Sequence, residues 1–161
     1  MNRISCEINF KIVEIPKEPV TKMGLTRVDG SLHISSKGRV IFSEDSTCLA
    51  EFAAKLSNWL NNGYPHYPFL YESMDYEDPY IIRAEVIDSD IILSSPWMVE
   101  GISSPLTFNL NDFINAARFF LVNFEEELPN IRSIYKYSQS PSVLYLYPKV
   151  INKSDVPRGA Y

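Results

Sequence analysis

Alternating side chains mark one strand of this chain from its sequence alone. Apolar and polar residues alternate over residues 4–13, with two sets of side chains. The apolar set is Ile4, Cys6, Ile8, Phe10 and Ile12, and the polar set is Ser5, Glu7, Asn9 and Lys11. A period of two places the sets on opposite faces of a β-strand, so one face lies against a core and the other faces water. The fold therefore has to include a half-buried strand here.

Further strands are predicted along the chain. Residues 31–35 and 39–43 flank a short loop containing Gly38, which is typical of a β-hairpin. Asp29-Gly30 and the segment 88–90 are interpreted as turns. The remaining strand candidates are residues 23–28, 69–74, 80–87, 91–95 and 106–108.

Two apolar stripes at helical spacing predict two helices. The first stripe is Leu49, Phe52, Ala53, Leu56 and Leu60, and the second is Phe113, Ala117, Phe120, Leu121, Phe124 and Leu128. Acidic and hydroxyl side chains at 44–46 are expected to open the first helix, and Asn61-Asn62-Gly63 to end it with Gly63 left-handed. Asn109 or Asn111 is the predicted cap of the second helix, and Pro129 stops it.

Runs of strands with only two helices favour the α+β class, in which an antiparallel β-sheet has two main helices packed on one face. We expect residues 1–150 to form a single domain, because 161 residues are too few for two self-sufficient cores. Residues 143–147 are a further strand candidate within it. Residues 151–161 are expected to be a loosely ordered C-terminal tail.

The acidic balance of the chain excludes some partners. Fifteen Lys and Arg against twenty Asp and Glu give a net charge of −5, whereas nucleic acids and anionic membranes attract clustered positive charge. We therefore expect no nucleic-acid and no membrane partner. A carboxylate as early as Glu7 argues against a secretory signal and favours a cytoplasmic protein.

The cysteines and histidines do not form a metal-binding pattern. Cys6, Cys48, His33 and His66 are scattered, whereas structural zinc sites use short paired spacings. Cys6 belongs to the apolar face of its strand and is expected to be a buried core residue. We therefore predict no metal and no cofactor, and two free thiols, which favour a reducing compartment.

No catalytic motif is present in the sequence. Phosphate-binding glycine loops, the H-E-x-x-H zinc motif and the G-x-S-x-G elbow are all missing. His33 is expected to be exposed on its strand, and His66 to lie in a turn between Pro65 and Pro68. The sequence therefore favours a protein that is not an enzyme. The alternative is a small hydrolase that uses His66 with a nearby carboxylate.

Tyrosines and carboxylates are interleaved in the segment 64–80, which is the candidate interface. Tyrosine is enriched at protein interfaces, and carboxylates speed encounter with a basic partner. The candidate contact residues are Tyr71, Glu72, Asp75, Tyr76, Glu77, Asp78 and Tyr80. The alternative is that the tyrosines pack on the sheet while the acids only solubilise the loop. A second apolar segment, residues 97–102, is either folded back onto the core or a binding patch.

The order of these segments resembles a known group of proteins. The segments are residues 30–34, 39–44, 49–60, 69–75 and 91–97, and the fixed points are Glu51, Trp59, Ser95 and Trp97. Over residues 25–128 the chain resembles small bacterial immunity proteins of polymorphic toxin and contact-dependent growth inhibition systems. The resemblance implies a cytoplasmic protein that binds and neutralises the C-terminal domain of a cognate toxin without chemistry. It supplies no catalytic or interface residues.

The acidic charge is compatible with that implication, because a toxin that cleaves nucleic acid is usually basic. The sequence-based hypothesis is therefore an immunity protein directed at a basic nuclease domain. A structural or homo-oligomeric module remains a further alternative.

Overall fold

A computed structural model describes residues 5–14, 28–72 and 77–127, which form seven strands and two α-helices. The strands are β1 (Glu7–Glu14), β2 (Asp29–Ser36), β3 (Arg39–Cys48), β4 (Phe69–Tyr71), β5 (Ile82–Ile87), β6 (Asp90–Ser94) and β7 (Leu106–Asn109). The helices are α1 (Leu49–Asn58) and α2 (Leu110–Glu127), and a π-helical turn, Trp59–Gly63, continues α1.

The strands pair in two antiparallel sheets, so the α+β class is confirmed. The first sheet has the order β1-β2-β3 and the second the order β4-β5-β6-β7, where a single sheet was expected. Helix α1 contacts β2, β3 and β4, while α2 contacts β1, β6 and β7. Each helix therefore touches strands of both sheets, and the two sheets share one hydrophobic core through the helices.

The predicted strand near residue 8 and the predicted hairpin are both confirmed, but the turn at Asp29-Gly30 is wrong. Both residues lie in β2, where Gly30 pairs with Ile12 on one side and Thr47 on the other. A side chain at Gly30 would collide with the main-chain oxygen of Lys11. Glycine at this position therefore allows the close approach of β1, a use of glycine that the sequence pattern does not distinguish from a turn.

The predicted start of the first helix is also wrong. Residues 44–46 belong to β3, which continues to Cys48, and the helix begins at Leu49 without a side-chain cap. The amide of Leu49 donates instead to the main-chain oxygen of Val28, at 2.9 Å. The carboxylate of Glu44 accepts a hydrogen bond from the Ser46 amide within the strand. Pairing of Thr47 with Gly30 thus prevails over the local preference for a cap.

The helical segment ends at Gly63 as predicted, but for a different reason. Gly63 does not adopt the left-handed conformation, unlike Gly38, whose φ is 78°. A Cβ atom at Gly63 would lie 2.8 Å from Cδ1 of Trp59, so the bare glycine makes room for the indole ring. The second helix fits its prediction more closely, since the Asn109 side chain accepts a hydrogen bond from the Asp112 amide at 3.2 Å.

Phe52 lies at the junction of the core. Its ring meets those of Phe69, Tyr71 and Phe120 edge-to-face, with centroids 5.9, 5.3 and 5.2 Å away. These partners lie on β4 and α2, so one side chain of α1 joins the second sheet to the second helix. Aromatic rings bury large apolar areas and gain further from this geometry.

Replacing Phe52 with alanine is expected to lower the free energy of unfolding by about 3–5 kcal/mol, because it removes a fully buried ring and leaves a cavity. Tyr67→Ala is the matched control, since the Tyr67 side chain is 68% exposed; its cost should stay within about 0.5 kcal/mol. Urea unfolding of both variants measures the difference. Equal losses would contradict the assigned role of Phe52.

Both cysteines are free thiols, and Cys6 is buried while Cys48 is half-buried. Burial raises the pKa of Cys6 from 9.0 to about 12, with smaller contributions from Asp112 and Glu7. Burial likewise raises the pKa of Cys48 to about 11. The predicted buried position of Cys6 is confirmed.

Because these pKa values are raised in the folded state, the unfolded chain loses its thiol protons at lower pH. We expect the free energy of unfolding to be unaffected by the thiols below about pH 8 and to fall between pH 9 and pH 11. Urea unfolding of the protein and of a Cys6→Ala/Cys48→Ala variant, repeated at several pH values, separates the contribution of the thiols from that of other titrating groups. A parallel pH dependence of the two proteins would contradict it.

The predicted strand 143–147, the predicted tail 151–161 and all but Val28 of the weak strand 23–28 lie outside the described residues. Within the described part of the chain, no helix is both long and apolar enough to cross a membrane.

Candidate functional site: an acidic surface beside an open groove

A groove of about 420 Å³ runs between the end of α1 and the segment that leads into β4. One wall comes from α1 and the π-helical turn, and the other from residues 67–72. Its lining is mixed: apolar side chains form the floor, and amide and charged side chains form the rim. The lining residues are Lys55, Asn58, Trp59, Asn62, Gly63, Tyr67, Pro68, Phe69, Leu70 and Glu72. We refer to this feature as the α1–β4 groove.

Trp59 holds the two walls of the groove together. Its indole is buried, and Nε1 donates a 2.7 Å hydrogen bond to the main-chain oxygen of Tyr67. The ring also packs against Tyr64 and Phe113. The floor is therefore fixed before any ligand arrives, as is common for binding sites. A π-helical turn at this place also fits a functional surface, where such turns are frequent.

Lys55 connects the groove to the strand. Its ammonium donates to the main-chain oxygen of Glu72 at 2.6 Å, and it lies 3.3 Å from a carboxylate oxygen of Glu51. It also lies 5.6 Å from the centre of the Tyr71 ring. The cation is thus compensated by Glu51 and held in place, while the Glu72 side chain remains exposed.

The seven predicted interface residues differ in how far the structure exposes them. Tyr71 is wrong as a surface contact: its side chain is 2% exposed and packs against Phe52 in the core. Glu72, Glu77 and Asp78 are exposed, and Tyr80 is half-buried. Asp75 and Tyr76 lie outside the described residues. Burial of Tyr71 follows from its position on β4, whose alternate residues Phe69 and Tyr71 face the core.

A hydrogen bond joins the described residues 77–80 of the candidate interface, which we call the acidic segment, to the second apolar segment. The indole Nε1 of Trp97 donates to a carboxylate oxygen of Asp78 at 2.8 Å. The backbone of that segment bonds back to β3, because the Val99 amide donates to Ile41 and Met98 pairs with Phe42. Of the two alternatives for residues 97–102, the structure has the segment folded back onto the core.

Neither histidine forms the centre of a catalytic arrangement among the described residues. His66 is exposed, and no described carboxylate bonds to it. His33 is half-buried and its Nδ1 lies 3.0 Å from the hydroxyl of Ser43 on the neighbouring strand. In the described part of the chain, no three side chains of the metal-ligating types come together.

The acids Glu72, Glu77 and Asp78 are exposed, as the sequence predicts, but the sequence does not predict the groove. Its one signal is the cluster of asparagines at 58, 61 and 62. That cluster does not indicate a groove by itself, because the groove forms only when β4 lies beside α1.

The fold and the site define a small α+β domain with an acidic surface and an open groove. A family model described as a domain of unknown function, DUF7878, matches residues 8–130, about three quarters of the chain. The chain therefore belongs to the DUF7878 family. The match spans all the described elements apart from the first residue of β1. No curated protein and no solved structure matches the chain.

Replacing Trp97 with phenylalanine is expected to release the acidic segment, because it removes the donor to Asp78 and keeps an aromatic ring. Amide hydrogen exchange at Glu77, Asp78 and Tyr80 should quicken by about fivefold, the equivalent of a hydrogen bond worth about 1 kcal/mol. The amides of β5 serve as an internal control and should not change. Unchanged exchange rates at residues 77–80 would show that this hydrogen bond does not hold the acidic segment in place.

Proposed function

We propose that this protein is an immunity protein that binds and neutralises the C-terminal domain of a toxin, a basic nuclease, inside the same bacterial cell. Inhibition follows from occupation of the toxin's surface, and no bond is made or broken by the inhibitor. The protein acts in the cytoplasm, where its two thiols remain reduced.

One observation supports the proposal: two exposed acids of the candidate interface, Glu72 at the rim of the groove and Asp78, lie where hydrogen bonds hold the chain in a defined arrangement. Asp78 is fixed by Trp97, and the backbone of Glu72 is fixed by Lys55. A pre-formed surface loses little conformational entropy on binding, which is what a tight protein–protein contact requires.

The distribution of charge supports a basic partner. The matched residues 8–130 carry eighteen Asp and Glu against nine Lys and Arg, a net charge of −9. A surface of that charge attracts a basic protein over a distance of about 8 Å at physiological salt. Proteins that cleave nucleic acid carry positive charge because they contact phosphate, so a nuclease is the toxin class that this surface suits best.

The direct test is neutralisation of a toxin domain. The domain encoded next to the gene for this protein is expressed, and its nuclease activity is measured with increasing amounts of the inhibitor. We expect activity to disappear at one inhibitor per toxin, and the two proteins to co-purify. Undiminished activity at excess inhibitor, with no complex, would overturn the proposal.

Charge reversal at Glu77 and Asp78 is expected to slow association with the toxin domain by about tenfold at low salt, because steering by opposite charge is lost. The salt dependence of the association rate should flatten as well. The matched control is Glu7→Lys with Asp45→Lys, an equal charge change at exposed positions of the first sheet. Stopped-flow fluorescence measures the rates.

If the Glu77 and Asp78 variant associates at the same rate as the control variant, the acidic segment is not part of the interface. Reversal at Asp75, in the same sequence segment, should add to the effect.

A further inference from the structure

Among the strands that the structure describes, β4 forms one edge of the second sheet, and its side away from β5 faces the α1–β4 groove. The main-chain oxygen of Tyr71 accepts a hydrogen bond from the Ile81 amide at 2.8 Å, which turns it towards β5. The oxygen of the next residue, Glu72, turns the opposite way and accepts from Lys55 of α1. Successive carbonyls of a strand alternate in direction, so those of Leu70 and Glu72 point to the same side.

It follows that the N–H and C=O groups of Leu70 are directed into the groove. In the part of the chain that the structure describes, no strand or side chain pairs with them there. An edge strand with free backbone groups is a template for the addition of another strand. The Leu70 side chain, 39% exposed, stands beside this edge.

The opposite wall supplies groups that suit an extended chain. Asn58 and Asn62 are exposed on α1 and the π-helical turn, and amide side chains both donate to and accept from a peptide backbone. Trp59 and Phe69 form an apolar floor for a side chain that points inwards. A groove between a helix and a strand edge is a recurrent way to hold a peptide by strand addition.

The charge at the rim of the groove determines which extended segments are favoured. Among the described lining residues the cation is Lys55, which is compensated by Glu51, so the exposed carboxylate of Glu72 gives the rim its negative charge. The excess of acids in the matched residues adds to the same field. Positively charged side chains next to the added strand are therefore favoured, and negatively charged ones are repelled.

We propose that the α1–β4 groove binds an extended, basic segment of the partner protein as an additional strand on β4. This deepens the proposed function and rests on it for the identity of the partner, while the binding chemistry is independent of it. The three residues of β4 define the contact, and they match about three residues or 10 Å of the added strand. Its outward side chains are basic, and an apolar side chain enters the groove above Trp59.

The experiment uses the full chain and a capped heptapeptide of alternating arginine and valine, followed by ¹H–¹⁵N nuclear magnetic resonance. We expect the Trp59 indole and the Leu70 amide to shift on titration, while amides of β1 do not. A heptapeptide of alternating glutamate and valine is the charge control and should bind at least tenfold more weakly. Equal binding of the acidic peptide would overturn the proposed charge preference.

Two N-methylated forms of the basic peptide test for strand addition. Each form is methylated at one set of alternate residues, so that side chains and charge stay constant. Only one edge of an added strand meets β4, so one form should bind like the parent and the other at least tenfold more weakly. Equal affinity of the two forms would exclude strand addition.

A variant then locates the site on the protein. Glu72→Lys is expected to lower the affinity for the basic peptide by about tenfold, whereas Glu7→Lys, with the same charge change on β1, should have little effect on it. Equal effects of the two variants would place the peptide elsewhere. If light scattering shows a dimer that Glu72→Lys dissociates, a second copy occupies the groove and the proposal fails. If the Leu70 amide is already protected from hydrogen exchange in the free monomer, the chain itself covers this edge and the proposal also fails.

The outcomes for the groove and for the proposed function are separable. Peptide binding with no neutralisation of the toxin domain would support the peptide site in the groove and contradict the immunity function. If the toxin domain is neutralised equally by the Glu72→Lys variant and no peptide binds, the immunity function is supported and the groove has no part in it.

Discussion

The packing of Phe52 against Phe69, Tyr71 and Phe120 is the contact on which the remaining structure depends. It joins the first helix to both the second sheet and the second helix, and it is reinforced by the packing of Trp59 on Phe69 and by the hydrogen bond from Lys55 to Glu72. The same contact brings β4 beside α1. The α1–β4 groove is therefore a consequence of core packing, because its two walls meet at the buried rings of Trp59 and Phe69, and Phe69 also packs against Phe52.

A rigid floor and a polar rim follow from that packing, and both suit recognition of another protein. Trp59 and Lys55 fix the backbone on either side of β4, and Trp97 fixes the carboxylate of Asp78 nearby in the chain. These hydrogen bonds restrict the conformation of the surface, so a partner of the proposed kind would meet charge and shape already in place. In the proposed complex, the acidic charge would act on the rate of encounter and the groove on the lifetime of the complex.

Local patterns predicted most elements of the fold but not how they meet. Alternation in β1, the helical stripe ending at Leu60 and the Asn109 cap are properties of neighbouring residues, and they appear in the structure. Gly30 and the segment 44–46 were assigned wrongly because strand pairing decides their conformation. Tyr71 was predicted to be a surface contact because the local sequence of a tyrosine beside acids is the same whether its ring faces water or a core.

The sequence by itself determined the α+β class, the two helices, the acidic charge and the absence of familiar catalytic motifs, since each depends on residue types or short-range spacing. Only the tertiary structure decided that the strands form two sheets, that Trp97 bonds to Asp78 nineteen residues away, and that β4 lies at the edge of the described sheet, beside α1. These features arise from contacts between residues distant in the chain, and the free energy of such contacts is not encoded in any local pattern.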